Sequence, residues 1–156
     1  MANVKITELA ALTTTDDATD VIAVVDVSAD ATKKISVANL VTAQARTYTA
    51  AQRGEITTLT DGANVSVDLS ASNNYSLTLA GNRTLDNPSN IVAGQSGSIF
   101  IVQDGTGSRT LAYGSYYDFA GGTAPTLSTA AAAVDRIDYL VRSATSIHCV
   151  FTANYS

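Results

Sequence analysis

Few side chains in this 156-residue sequence could act as nucleophile, base or metal ligand, and their spacing does not group them. The one His and one Cys are the adjacent His148 and Cys149, too few for an all-protein zinc site or a disulfide framework within one chain. Gly94-Gln95-Ser96-Gly97-Ser98 ends in Ser, so it lacks the G-x-S-x-G pattern that presents a hydrolase serine beside a base. Glycoside cleavage needs two carboxyl groups about 5–9 Å apart. Asp135 and Asp138 fall on opposite faces of one expected strand, however, and Asp104 and Asp118 sit in separate loops. Asp16, Asp17 and Asp20 lack the turn Gly and terminal Glu of a calcium loop. Gly105-Thr106-Gly107-Ser108 runs into Arg109-Thr110-Leu111-Ala112-Tyr113, which reads as a strand, so a hairpin tip is expected there and not a phosphate cradle at a helix start. No catalytic, metal-binding or cofactor-binding residue is therefore expected, and the chain reads as a non-enzyme. The remaining cluster is aromatic: Tyr113, Tyr116, Tyr117 and Phe119, followed by Gly121-Gly122. Exposed, these rings could stack on a sugar and offer it hydroxyls, making a candidate receptor-contact loop; buried, they would plug a core of small residues or a subunit interface.

The elements that carry these residues are mostly strands. Val65, Val67 and Leu69 alternate with polar residues, as do Tyr75, Leu77 and Leu79, with the turn-prone Ser70-Ala71-Ser72-Asn73-Asn74 between them. This predicts two half-buried antiparallel strands. Ser98–Gln103 is apolar on both faces and reads as a central strand. Ile137, Tyr139 and Val141 form one face of a strand that turns through Ser143-Ala144-Thr145 to face Ile147, Cys149 and Phe151. His148 then points away from that face, and Cys149 becomes a small buried hydrophobe. No fixed-period repeat is visible. The expectation for residues 47–156 is an antiparallel β-sandwich, jelly-roll-like.

Composition separates this region from what precedes it. Residues 1–40 hold six acidic side chains, three Lys and no Gly, Pro or aromatic residue, and no Lys occurs afterwards. Within residues 1–46 the apolar run Val21–Val27 and the alternating Lys34-Ile35-Ser36-Val37 predict a hairpin across residues 28–32. Ser36 is placed to cap a short helix through Asn39, Leu40 and Val41. So small an apolar volume predicts an arm that orders against something else. Only 15% of the chain is charged, against about 25% in ordinary globular proteins. A net charge of −5 with scattered basic residues argues against nucleic-acid binding. The N-terminus reads as no secretory signal, and no run of about 20 apolar residues is present, so cytoplasmic synthesis without membrane insertion is expected.

Residues 4–40, with an I-T-E-L opening, a D-V-I-A-V-V-D strand and a K-K-I-S-V-A-N-L close, resemble the N-terminal segment of many bacteriophage tail-fibre proteins. Residues 47–155 resemble a domain at the C-terminal end of phage fibre and other virion-surface proteins, most densely in the stretches Asn73 through Ser115, Gly121 through Ser143 and Ser146 through Ser156. The resemblance implies a virion structural protein, β-rich and usually homotrimeric, with no catalytic residues. It implies a virion-docking segment, for which Ile6, Leu9, Val24, Val25, Lys33, Lys34 and Leu40 are the candidates, contacting another tail, baseplate or capsid protein. It also implies a short tail fibre that attaches to the host surface, with host polysaccharide as a candidate ligand. A head-decoration or cement protein with no receptor role is the alternative, because no long shaft is present.

Overall fold

The structure, a computed structural model, describes residues 21–26, 31–36 and 49–155. The chain divides into two compact units, Met1–Ala51 and Gln52–Ser156. In the first, β1 (Val21–Asp26) and β2 (Ala31–Ser36) pair antiparallel, with Val24 opposite Lys33 and Ala23 opposite Lys34. The two strands of the expected hairpin are therefore present, and β2 starts three residues earlier than its alternation suggested. The short helix expected after Ser36, together with Ile6, Leu9 and Leu40, lies outside the described residues.

The second unit is built from nine strands. They are β3 (Ile56–Thr58), β4 (Asn64–Val65), β5 (Asn74–Leu79), β6 (Arg83–Leu85), β7 (Ser96–Gln103), β8 (Leu111–Tyr113), β9 (Tyr117–Phe119), β10 (Val134–Ser143) and β11 (Ser146–Thr152). The chain alternates between two sheets as it advances. β3, β5 and β7 lie side by side and parallel in one sheet, while β4, β6 and β8 do the same in the other. The stacking continues past β4, where Asp68 bridges Ser89 in parallel. This is the winding of a short β-solenoid, in which each coil lays its strands on those of the coil before. The antiparallel hairpin β10–β11 then extends the first sheet beyond β7, and β9 closes its far edge parallel to β11, giving the order β3-β5-β7-β10-β11-β9.

Both sheets face one core. Val65, Leu85 and Leu111 enter it from the three-stranded sheet, and Tyr75, Leu77, Ile99, Ile101 and Ile137 from the six-stranded one. Each such aliphatic side chain contributes about 1.5–3 kcal/mol on burial. The fold is all-β as the sequence indicated, but its connections are not those of an antiparallel sandwich or jelly roll. Val65, Val67 and Leu69 are buried, and so are Tyr75, Leu77 and Leu79, yet β4 and β5 do not pair with each other. Alternation reports which side chains face inward, and it carries no information on which strand lies alongside.

The turn between those two stretches is a corner that carries the chain from one sheet to the other. Asp68 Oδ1 accepts hydrogen bonds from Ser70 N and Ser70 Oγ, at 2.9 and 2.8 Å. The Tyr75 hydroxyl lies 2.6 Å from both the Asp68 and the Ser72 carbonyl oxygens. The hairpin expected after Gln103 is a second such corner. β7 and β8 belong to different sheets, and the loop is closed instead by the buried Gln103 side chain, whose Oε1 accepts from Arg109 N and whose Nε2 donates to Arg109 O. The antiparallel expectation holds at β10–β11, where Ile137 faces Phe151, Tyr139 faces Cys149 and Val141 faces Ile147. β7 is central as expected, between β5 and β10, with Ile99, Ile101 and Gln103 buried. Phe100 and Val102, on its other face, are only half-buried.

Candidate functional site

The aromatic residues converge where the chain leaves the three-stranded sheet. β8 ends at Tyr113, and a tight turn through Gly114, Ser115 and Tyr116 delivers the chain to β9 on the far edge of the other sheet. Asn87 holds this turn: its Oδ1 accepts from Tyr116 N at 2.9 Å and its Nδ2 donates to Ser115 Oγ at 3.2 Å. A Cβ at Gly114 would run into Asn87, so the position requires glycine. Gly114 N donates to Leu85 O, and Tyr117 N to Gly114 O, completing the crossover.

This path brings three rings together. Tyr113 meets Tyr117 edge-on, with centroids 6.0 Å apart, and meets Phe119 edge-on at 4.8 Å. Tyr117 is only 8% exposed and belongs to the core, while Tyr113, Tyr116 and Phe119 are half-buried against it. The four residues are therefore a packed cluster with one open side and not a free loop. The Tyr113 and Tyr117 hydroxyls are buried with no hydrogen-bond partner among the described residues, and burial pushes both phenols well above their ordinary range, so they stay protonated.

On the open side lies a cleft of about 270 Å³, lined by Tyr113, Ser115, Tyr117, Asp118, Phe119 and Gly122 among others. Asp118 is held by Ser146, whose Oγ donates to Oδ2 at 2.6 Å. Gly122, in the cleft wall, and Gly121 before it take left-handed φ values of 69° and 76°. The wall thus combines aromatic edges, a hydroxyl and one oriented carboxylate. A larger cleft of about 450 Å³ opens beside β3 and β4, among Thr57, Thr60, Asp61, Asn64, Ser66 and Asp68. Its carboxylate and amide groups are already engaged by their neighbours: Asp61 with Arg83 at 2.6 Å, Asn64 with Asp86 and Asp68 with Asn90.

Of the carboxylates weighed for chemistry, Asp16, Asp17 and Asp20 lie outside the described residues, and Asp104, Asp118, Asp135 and Asp138 are dispersed and each has a partner. Asp135 is buried and accepts from Ser128 N and Asn154 N, whereas Asp138, on the opposite face of β10, pairs with Arg136 at 2.8 Å. Asp104 pairs with Arg109, also at 2.8 Å. His148 is exposed on β11 in register with Asp118. Burial pushes the Cys149 thiol up to about 12, so it stays a neutral thiol. Of the candidate docking residues, Val24 and Val25 lie on β1, and Lys33 and Lys34 lie on β2. What sequence reasoning missed is Asn87 and Ser146, which orient the cleft from elsewhere in the chain; neither stands in a recognisable motif.

Residues 57–142, from β3 into β10, match the family described as "Putative phage tail fibre C-terminal domain". The matched span takes in the whole coiled region, the aromatic turn and most of the first strand of the closing hairpin. The chain belongs to this phage tail fibre family, and is a tail-fibre-type structural protein and a virion component. No curated protein matches it, and no solved structure does.

Proposed function

We propose that the protein is a short tail fibre that takes part in attachment to the host surface. Residues 1–46 fasten it to another tail, baseplate or capsid protein, three copies assemble, and the distal unit meets the host without enzymatic action. The family match over residues 57–142 carries this reading. The separation of the β1–β2 unit from the distal one supports the division of labour. The receptor contact is assigned to the cleft beside Tyr113 and Phe119, where aromatic edges, the Ser115 hydroxyl and the Asp118 carboxylate suit a neutral, hydroxyl-rich ligand such as a surface polysaccharide.

Two measurements test this. A virion reconstruction should place the chain on the tail; density on the head would replace the reading with the decoration alternative. The purified chain should bind host cells, and Asp118→Ala or Ser115→Ala, both in the cleft wall, should weaken that binding at least tenfold, about 1.4 kcal/mol. Tyr117 is unsuitable for this purpose, because its ring belongs to the core. Undiminished binding by both variants would remove the cleft from the contact.

A further inference from the structure

The receptor cleft does not end at β9. A second groove, of about 310 Å³, is lined by Asp118, Phe119, Ala120, His148 and Val150 among others, so it shares Asp118 and Phe119 with the first. Through Phe119, Ala120 and Val150 it adjoins a third, of about 270 Å³, that reaches Thr123, Pro125 and Phe151.

β9 is the strand that joins them. It is three residues long and the last of its sheet, so one of its backbone edges has no neighbouring strand. Its parallel register with β11 sets Asp118 beside His148, and both are exposed. Alternation along β11 puts His148 and the 65% exposed Val150 on the same outward face. Asp118 commits one carboxylate oxygen, Oδ2, to Ser146 Oγ, while Oδ1 accepts no hydrogen bond from the described residues.

Chemistry and size select the occupant. No Lys or Arg lines any of the three clefts, and Asp118 is their one carboxylate. An acidic polymer would therefore meet a like charge with no cation to offset it. A sugar hydroxyl, by contrast, can donate to Oδ1, its C–H faces can lie on Phe119 and Val150, and the His148 imidazole offers ring nitrogens to further hydroxyls. Each cleft alone falls near the lower end of the roughly 300–1,000 Å³ usual for a bound small molecule, and the joined groove is well inside that range. A peptide added as a further strand suits the site less, because β9 offers three residues of edge between the Gly114 turn and the left-handed Gly121 and Gly122.

We propose that the ligand is a neutral polysaccharide segment of several sugars that passes across β9, held by the first cleft on one side and by His148 and Val150 on the other, with Asp118 touching it on both; this rests on the receptor reading above and names its ligand class and the second half of its site.

The test uses the full chain, host cells, and polysaccharide extracted from those cells and cut into fragments of defined length. Periodate, which cleaves vicinal diols, should abolish binding to the cells, and protease treatment of the cells should spare it. A longer fragment should compete for the chain at least tenfold better than a disaccharide, and rising salt should leave binding unchanged, as a neutral ligand requires. His148→Ala, and Val150→Arg, which lays a long side chain across the groove, should each weaken polysaccharide binding at least tenfold and remove the advantage of the longer fragment. Ala112→Arg, exposed on β8 in the other sheet, should change neither. Circular dichroism identifies any variant that fails to fold, and both test positions are exposed. Weakening by Ser115→Ala and Asp118→Ala with none from His148→Ala or Val150→Arg would confine the ligand to the first cleft, overturning the extension while leaving the receptor reading in place. Binding that protease abolishes and periodate spares would overturn the ligand class in favour of a protein receptor, and a steep fall with salt would overturn its neutrality. A change in the chain's mass in the folded His148→Ala or Val150→Arg variant would assign the groove to contact between copies and overturn the proposal. A chain that binds neither cells nor polysaccharide overturns both readings.

Discussion

Two kinds of tyrosine hold the distal unit together, and their hydroxyls distinguish them. Tyr75 is fully buried, and its hydroxyl lies 2.6 Å from two carbonyl oxygens at the corner after Leu69, so the ring fills the core while the oxygen ties down the chain's change of sheet. Tyr139 is anchored similarly, its hydroxyl donating to Asn73 O at 2.9 Å. Tyr117 is also buried, yet among the described residues no group reaches its hydroxyl. A buried polar group that lacks a partner destabilises, whereas removal of a paired one strands its acceptors. Tyr75→Phe is accordingly expected to cost about 1–2 kcal/mol, and Tyr117→Phe to change stability by less than about 0.5 kcal/mol or to raise it. Urea unfolding of the two variants checks this; an equal loss in both would mean that the Tyr117 hydroxyl has a partner in solution.

At the scale of elements, the corners between sheets matter as much as the strands. At the Gln103–Arg109 corner, Asp104 Oδ1 accepts from Thr106 N and Gly107 N, and Oδ2 binds the Arg109 guanidinium. The Arg109 bond, helped by those backbone donors, holds the Asp104 carboxyl at about 2, below its ordinary 3.8. Asp61 and Asp68, at the neighbouring corners, are shifted down for similar reasons, by Arg83 and by Asn90 with Ser70. A carboxyl whose folded pKa is depressed adds stability above its unfolded pKa and loses it as pH falls through the folded one. Melting temperature should therefore decline on acidification from about pH 4 to about pH 2, and Asp104→Asn should make the decline shallower. A flat profile in wild-type protein would show that these corner pairs contribute nothing to stability.

These corners also explain what was legible in the sequence. The β10–β11 hairpin could be read because Ser143-Ala144-Thr145 is a local turn between two alternating runs, and such a turn fixes both partner and direction. The parallel pairs β3–β5–β7 have no local signature. Their partners are separated by a full coil, and the coils differ in length, since Ile56 aligns with Asn74 but Asn74 with Ser98. The aromatic density between Tyr113 and Phe119 marked the cleft, but the inward turn of Tyr117 depends on Asn87, far back in the chain, and on Gly114 accepting its approach.

For the molecule as a whole, the scarcity of charge acquires a location. On the outer face of the six-stranded sheet Arg136 pairs with Asp138 and each neutralises the other, while Asp118 and His148 stand exposed side by side on β9 and β11. Two further ion pairs of the distal unit, Arg83 with Asp61 and Arg109 with Asp104, lie near where the chain changes sheet. If three copies assemble as proposed, assembly stabilises only the folded state, and mass action makes stability depend on protein concentration. The melting temperature of the wild-type chain should then rise by several degrees across a hundredfold increase in concentration, as about 2.7 kcal/mol accrues when free partner reaches about 100 times the dissociation constant. A melting temperature that stays constant over that range would instead show that the chain folds and persists as a single copy.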